Sequence, residues 1–201
     1  MPTPKPPRPT DLRRAILDAS LALLEEGGVA ALSLREVARR ANVTHGAPYH
    51  HFIDRSAILA AIAEEGFSIL AQGMRELMEA EAVGSIARFE AAGRAYVRFA
   101  LEHRAHMRVM FRPELACPLE HPGVDEAAAA AMGLLFVCAA ECQRAGTIAE
   151  GDPTPLVLTA WAAAHGLASL WIDGPLPRLY PGLTPEVLAG LAGVLRVPTP
   201  G

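Results

Sequence analysis

Apolar positions recur at helical spacing along nearly the whole chain of 201 residues. Leu12, Ile16, Ala19 and Leu23 share one face of a first helix, with Thr10 as its N-cap and Gly27-Gly28 as its stop. Ser33-Leu34-Arg35-Glu36 has the form of a capping box, with Ser33 on the Glu36 N–H and Glu36 reaching back. It predicts a second helix from Leu34 to about Arg40. Ala41-Asn42-Val43 is a short connection, and Thr44 caps a third helix running to about His51. Asp54 opens a long fourth helix that carries Ile58, Ile62, Ile69, Met74 and Leu77 to about Ala80, and Ser85 caps a fifth with Phe89, Gly93, Tyr96 and Ala100 on one face. A sixth helix covers about 105–111. Pro113, Pro118 and Pro122 mark a loop, and a seventh helix follows at about 124–145. An eighth covers about 155–172, closed by Gly174-Pro175, and Thr184-Pro185-Glu186 opens a ninth that ends near Arg196. No run of alternating apolar residues argues for a strand. The expected fold class is all-α with about nine helices: a Pro-rich arm at 1–9, a three-helix head at 10–53 and a longer helical body at 54–201.

Composition changes this picture in three places. The net charge of −4 excludes a polybasic protein, yet residues 1–56 hold eight Lys/Arg against six Asp/Glu, while the remainder is acidic. A mildly basic head fits phosphate binding at one end of the molecule. Three cysteines, at 117, 138 and 142, make no disulfide framework and point to reduced thiols and a cytoplasmic setting. Residues 154–172 carry no Asp, Glu, Lys or Arg. Their length approaches a bilayer span, but His165, the predominance of Ala and flanking acids without a basic anchor argue for a buried helix and no membrane partner.

The second and third helices form a hairpin of the helix-turn-helix kind, whose second helix can enter the DNA major groove. Val37, Ala38 and Ala41 are small or apolar enough to let the two helices touch, and Val43, Pro48 and Phe52 supply the inner face. His45, Gly46, Tyr49 and His50 then stand on the outer face, while Thr44 combines capping with a helix N-terminus that attracts phosphate. Pattern alone leaves an ordinary helical hairpin equally open.

The residues themselves go further. LSLREVARRANVTHGAPYHHFIDRSAIL, Leu32 to Leu59, resembles the DNA-binding segment of the tetracycline-repressor (TetR) family, through Ser33, Arg35, Val37-Ala38, Asn42-Val43-Thr44, Tyr49-His50-His51-Phe52 and Arg55 with Ile58. Trp161, His165 and Gly166 resemble a Trp…His-Gly signature of one C-terminal subgroup of that family. The resemblance implies a ligand-responsive repressor that binds a palindromic operator in double-stranded DNA as a homodimer, and neither an enzyme nor a cofactor protein. It implies that Tyr49, His51 and Arg55 contact phosphates and that Thr44 caps and approaches one. His45, Gly46, Ala47 and His50 would face base edges, and Arg35 a guanine or a phosphate. Arg55 stands where the family has Lys, and Pro48 where it has an aliphatic residue. Pro48 removes one N–H and disfavours helical geometry at Ala47, so the first turn of the recognition helix is expected to be distorted.

In the body, the small residues of 155–172 and the leucines of 185–196 suggest a two-helix surface for the second subunit. Met74, Phe89, Tyr96, Met110, Phe111, Phe136 and Trp161 can line a cavity for a small apolar effector or fill a core. His165 is either a ligand contact or a hydrogen-bonded core histidine. His103/His106 and Cys138/Cys142 have spacings at which two metal ligands sit on one helix face, but neither pair supplies a full set, and no metal is expected.

Overall fold

The computed structural model describes residues 9–117 and 120–192. The expected arm (apart from Pro9), Pro118 and the last helix beyond Ala192 lie outside these residues. The described chain is helical without strands. Its elements are α1 (Pro9–Gly27), a 3-10 turn η1 (Val29–Ala31), α2 (Leu34–Arg40), a second 3-10 turn η2 (Ala47–His50), α3 (Arg55–Glu79), α4 (Ile86–Glu102), α5 (Arg104–Met110), α6 (Pro113–Ala116), α7 (Gly123–Arg144), α8 (Thr154–Ile172), α9 (Leu176–Leu179) and α10 (Pro185–Ala192).

Four side-chain caps fall where the sequence places them. Ser33 accepts from the N–H of Glu36, Asp54 from Ala57, Ser85 from Arg88 and Thr184 from Val187. The reciprocal half of the Ser33 box is different: the Glu36 carboxylate accepts from Arg39 one turn on. A charge-assisted bond to a guanidinium outcompetes one to an exposed backbone N–H.

The expected third helix is the main departure. In place of a helix from Thr44 to His51 there is a turn, then the single 3-10 turn η2. Ala47, Tyr49 and His51 donate to the carbonyls of Thr44, Gly46 and Pro48, each three residues back. Pro48 has no N–H to give the Thr44 carbonyl, so an α-helical bond cannot form there. Gly46, not Thr44, is the residue that precedes η2. Two short helices, α6 and α9, occupy stretches expected to be loops.

The chain forms two compact units. The first comprises residues 1–66 and 105–125, the second residues 67–104 and 126–201, and α3 and α7 each contribute to both. In the first unit, α1 packs on η1 and α2, and α2 on η2. Its core includes Ile16, Leu24, Val37 and Ile58, all at 0% exposure. Gly66 gives Met110 its place, since a Cβ there would stand 2.5 Å from the Met110 sulfur. In the second unit, α4 packs on both α8 and α10. Gly93 permits that close approach: a Cβ would meet the Ala192 carbonyl oxygen at 2.9 Å.

By length and composition α3, α7 and α8 each meet the requirements of a bilayer span. Only 28% of the apolar window of α7 and 22% of that of α8 are buried, against 61% for α3. Both helices therefore leave apolar surface uncovered in a single chain, including Val137, Leu158 and Leu170.

Candidate nucleic-acid interface

The turn between α2 and η2 is set by backbone chemistry. Asn42 adopts φ 54°, in the left-handed region that Asn tolerates better than most residues. The N–H of Val43 reaches back to the Ala38 carbonyl, closing α2 with the bond pattern of a Schellman motif. The chain then reverses, and η2 sits on α2 through the buried side chains of Ala47, Pro48 and Phe52. The guanidinium of Arg13 lies 5.3 Å from the Phe52 ring centroid, a cation–π contact that ties α1 to the end of η2.

Thr44, His45, Gly46, Tyr49 and His50 are all exposed. Tyr49 is 54% exposed, and its ring meets that of His45 edge-on at 6.2 Å. Arg35 projects from α2 into solvent and makes no hydrogen bond or ion pair among the described residues. Arg39 and Arg40 are held by Glu36 and Glu26. His51 is half-buried.

Two of the residues expected on this face are elsewhere. Ala47 is buried beside Pro48, because the tight turn rotates its methyl inward. Arg55 turns into its own unit, where Nη2 donates to the Val29 carbonyl at 2.5 Å and Nε is buried without a partner. An arginine is long enough to span that gap, and its fork can hold a carbonyl that a lysine would address with a point charge. Sequence reasoning missed this clamp, although the exchange of the family's Lys for Arg was its signal. It also missed Arg13 on Phe52, for which the sequence holds no signal.

A second polar group sits in the body. The Tyr96 hydroxyl lies 2.7 Å from Nδ1 of His165, 69 residues away. Burial pushes the Tyr96 hydroxyl well above its usual range, and burial holds His165 below its own. Both groups are therefore neutral near pH 7; the phenol and Nδ1 share one hydrogen bond, and Trp161 hydrogen-bonds the phenol oxygen. Beside them is a void of only about 20 Å³, lined by Met74, Phe89, Tyr96, Trp161 and Ala192 among others. That is about the space of one water. Met110 and Phe111 belong to the other unit, and neither Phe136 nor His165 lines the void, so four of the side chains expected there are not part of it.

The paired sulfurs and imidazoles are otherwise engaged. His106 is buried, with Nε2 3.2 Å from Glu65, whose other oxygen holds Arg14. Burial alone would push the Glu65 carboxyl up; the bonds from Arg14 and His106 outweigh it and hold the group below the usual carboxylate range. His103 stacks on Phe99. Cys142 donates to the Ser85 carbonyl, and burial pushes the Cys138 thiol up to about 12. Among the described residues no group of three or more His, Cys, Asp or Glu gathers to hold a metal.

A capped α2, a left-handed turn at Asn42 and a polar η2 face on an apolar base define a helix-turn-helix protein. Residues 16–62 match the model of the bacterial regulatory proteins of the tetR family, and residues 89–191 match a tetracyclin repressor-like C-terminal domain. The second match alone spans half the chain, so the chain belongs to the tetR family, a family of DNA-binding transcriptional regulators. It is 44% identical over 54 residues to the HTH-type transcriptional regulator AcrR of Shigella flexneri, which is 27% of this chain and 25% of that protein. It is 34% identical over 95 residues to the A-factor receptor protein of Streptomyces griseus, 47% of this chain and 32% of that one. The matches thus span a third or less of these curated relatives. A protein of unknown function from Rhodococcus sp. RHA1 shares the fold along 96% of this chain and 95% of its own, at 36% identity and a TM-score of 0.78.

Proposed function

We propose that this protein is a homodimeric repressor that binds a palindromic operator through η2 and releases it when a small molecule occupies its C-terminal unit. The observation that carries the DNA reading is the exposed cluster Thr44, His45, Gly46, Tyr49 and His50 on a turn anchored by buried Pro48 and Phe52. Arg35, Tyr49 and Thr44 lie on phosphates or at the groove edge, His45 and His50 address bases, and Gly46 lets the backbone come close. Half-buried His51 steadies the turn while reaching a phosphate. Arg55 acts from behind, by holding the Val29 turn.

Selecting bound sequences from a random DNA pool tests this reading: recovery of a palindrome supports it, and an unenriched pool overturns it. On the recovered operator, Tyr49→Phe lowers affinity for all sequences alike, by about tenfold or less, because a phosphate contact carries no base information. A change in base preference in place of a uniform loss would move Tyr49 into the base-reading set.

The second subunit is proposed to cover the apolar faces of α7 and α8, with α10 contributing at the edge through Val187 and Leu191. Leu158→Glu then converts a dimer to a monomer in light scattering, and an unchanged dimer places the interface elsewhere. The effector would be small and largely apolar, entering beside Met74, Phe89, Tyr96 and Trp161 with His165 as its polar contact. The name of the Streptomyces griseus relative, a receptor, agrees with a ligand-responsive body. With a void of about 20 Å³, the side chains must move apart to admit it.

A further inference from the structure

The body holds a second cavity that shares no lining residue with the void beside Tyr96. It is an open groove of about 500 Å³, within the usual size range of small-molecule sites. Its apolar wall comes from Leu77 of α3, Leu101 of α4, Trp171 of α8 and Ala189 of α10. Arg94, Arg98 and Arg104 bring three guanidiniums to it, and Glu102 and Glu186 two carboxylates.

These charges are not equally available. Arg94 is paired with Glu81 at 3.1 Å. Glu186 lies in the first turn of α10, hydrogen-bonded to Thr184, its carboxyl held low by that bond and by a backbone N–H, so the helix N-terminus offsets its charge. Arg98 and Arg104 make no hydrogen bond or ion pair among the described residues, and one carboxylate, Glu102, remains to set against them. Two free planar donors beside an indole and two leucines are complementary to one class of molecule: a head with two or more acceptor oxygens and a negative charge, on an apolar body. A neutral apolar ligand would leave both guanidiniums unused, and a bare inorganic anion would leave the indole wall wet.

We propose that this groove is a binding site for a small organic anion with an apolar body, its carboxylate or phosphate on Arg98 and Arg104 and its body on Trp171, Leu77 and Leu101. The site is separate from the proposed effector pocket and does not rest on it.

The two tryptophans make the test direct, because Trp161 lines the void and Trp171 the groove. The full chain is titrated with 4-phenylbutyrate, with phenyl phosphate and with the neutral 4-phenylbutanol, by calorimetry and by tryptophan fluorescence in Trp161→Phe and Trp171→Phe. The expected result is saturable anion binding, tighter than that of the alcohol by about tenfold, with a fluorescence change that persists in Trp161→Phe and disappears in Trp171→Phe. Whichever anion binds more tightly names the head group. Arg98→Glu and Arg104→Glu each weaken binding by about tenfold in calorimetry, while Arg75→Glu, on the same unit outside the groove, does not. Equal affinity for anion and alcohol, indifference to both arginine reversals, or no binding at all overturns the proposal. A signal that follows Trp161 also overturns it, and would place the ligand in the void, leaving the effector reading standing.

Discussion

The two units differ in the length of the elements that they hold in place. In the N-terminal unit the working elements are too short to stand alone: α2 has seven residues and η2 four. Directional polar bonds keep them in place. Arg55 holds the Val29 carbonyl, Arg108 the Leu24 carbonyl, and Glu65 links Arg14 to His106. In the C-terminal unit α4, α7 and α8 run to 17, 22 and 19 residues, and Ala91, Ala92, Ala95, Ala160, Ala164 and Ala168 are buried where helices pass closely. Directed bonds cross that unit too, from Arg88 to the Met78 carbonyl, from Thr147 to the Gly84 carbonyl and between Tyr96 and His165, beside the close helix contacts that these alanines allow. A face that must meet DNA in one register needs fixed angles, which hydrogen bonds supply. If the body admits a ligand as proposed, its surfaces must repack, and small side chains allow it.

The largest expected effect falls on the clamp behind η2. Arg55→Ala leaves the Val29 carbonyl without its donor and should cost about 2 kcal/mol in denaturant unfolding, as loss of a partly buried charged hydrogen bond does. Arg55→Lys, which keeps the charge but not the fork, should recover only part of it. Unchanged stability in both variants, with weaker DNA binding, would mean that Arg55 works on a phosphate and that the N-terminal unit does not depend on this bond.

Tyr96→Phe probes the other side of the comparison. It leaves Nδ1 of His165 without its hydrogen-bond partner, for a cost of about 1–2 kcal/mol. Because burial lowers the folded His165 pKa, its neutral form contributes stability that is complete above the unfolded value of about 6.5 and is lost as pH falls below it. Stability should therefore decline from about pH 6.5 downward, and His165→Gln should flatten that slope. A slope that survives the substitution would assign the effect to another group.

The smallest effect belongs to the partly exposed Glu65. Glu65→Gln weakens its bonds to Arg14 and His106 and should cost about 1 kcal/mol at neutral pH once solvent screening is allowed for. The folded Glu65 pKa is depressed, so this contribution is present above the unfolded value of about 4.3 and is lost as pH falls through the lower folded one. The gap between parent and variant should close in acid. If it stays open there, the glutamate serves packing and the ionic link contributes nothing.

Much of this molecule could be read from the chain alone, wherever the deciding interaction spans a few residues. Ser33, Asp54, Ser85 and Thr184 cap because an N-cap needs only its own N–H groups two or three residues on. The long helices were legible for the same reason, as was the unusual first turn at Pro48, whose missing N–H is a property of the residue itself. The family resemblance around Leu32–Leu59 was equally local.

Tertiary structure decided what depends on distance. Whether Arg55 faces DNA or the Val29 carbonyl is a choice between two partners, and the exchange of Lys for Arg marks the position without naming which one. Ala47 and Tyr49 sit two apart, yet the tightness of η2 sends one inward and leaves the other in solvent. Met110 and Phe111 have the same apolar character as Phe89 and Tyr96, but they lie in the N-terminal unit and do not line the void in the C-terminal one. Tyr96 and His165 meet across 69 residues because α8 packs on α4. Caps, periods and turns are set by covalent neighbours. Partners across a core are set by whichever surfaces exclude water together, and only the folded chain brings those surfaces into contact.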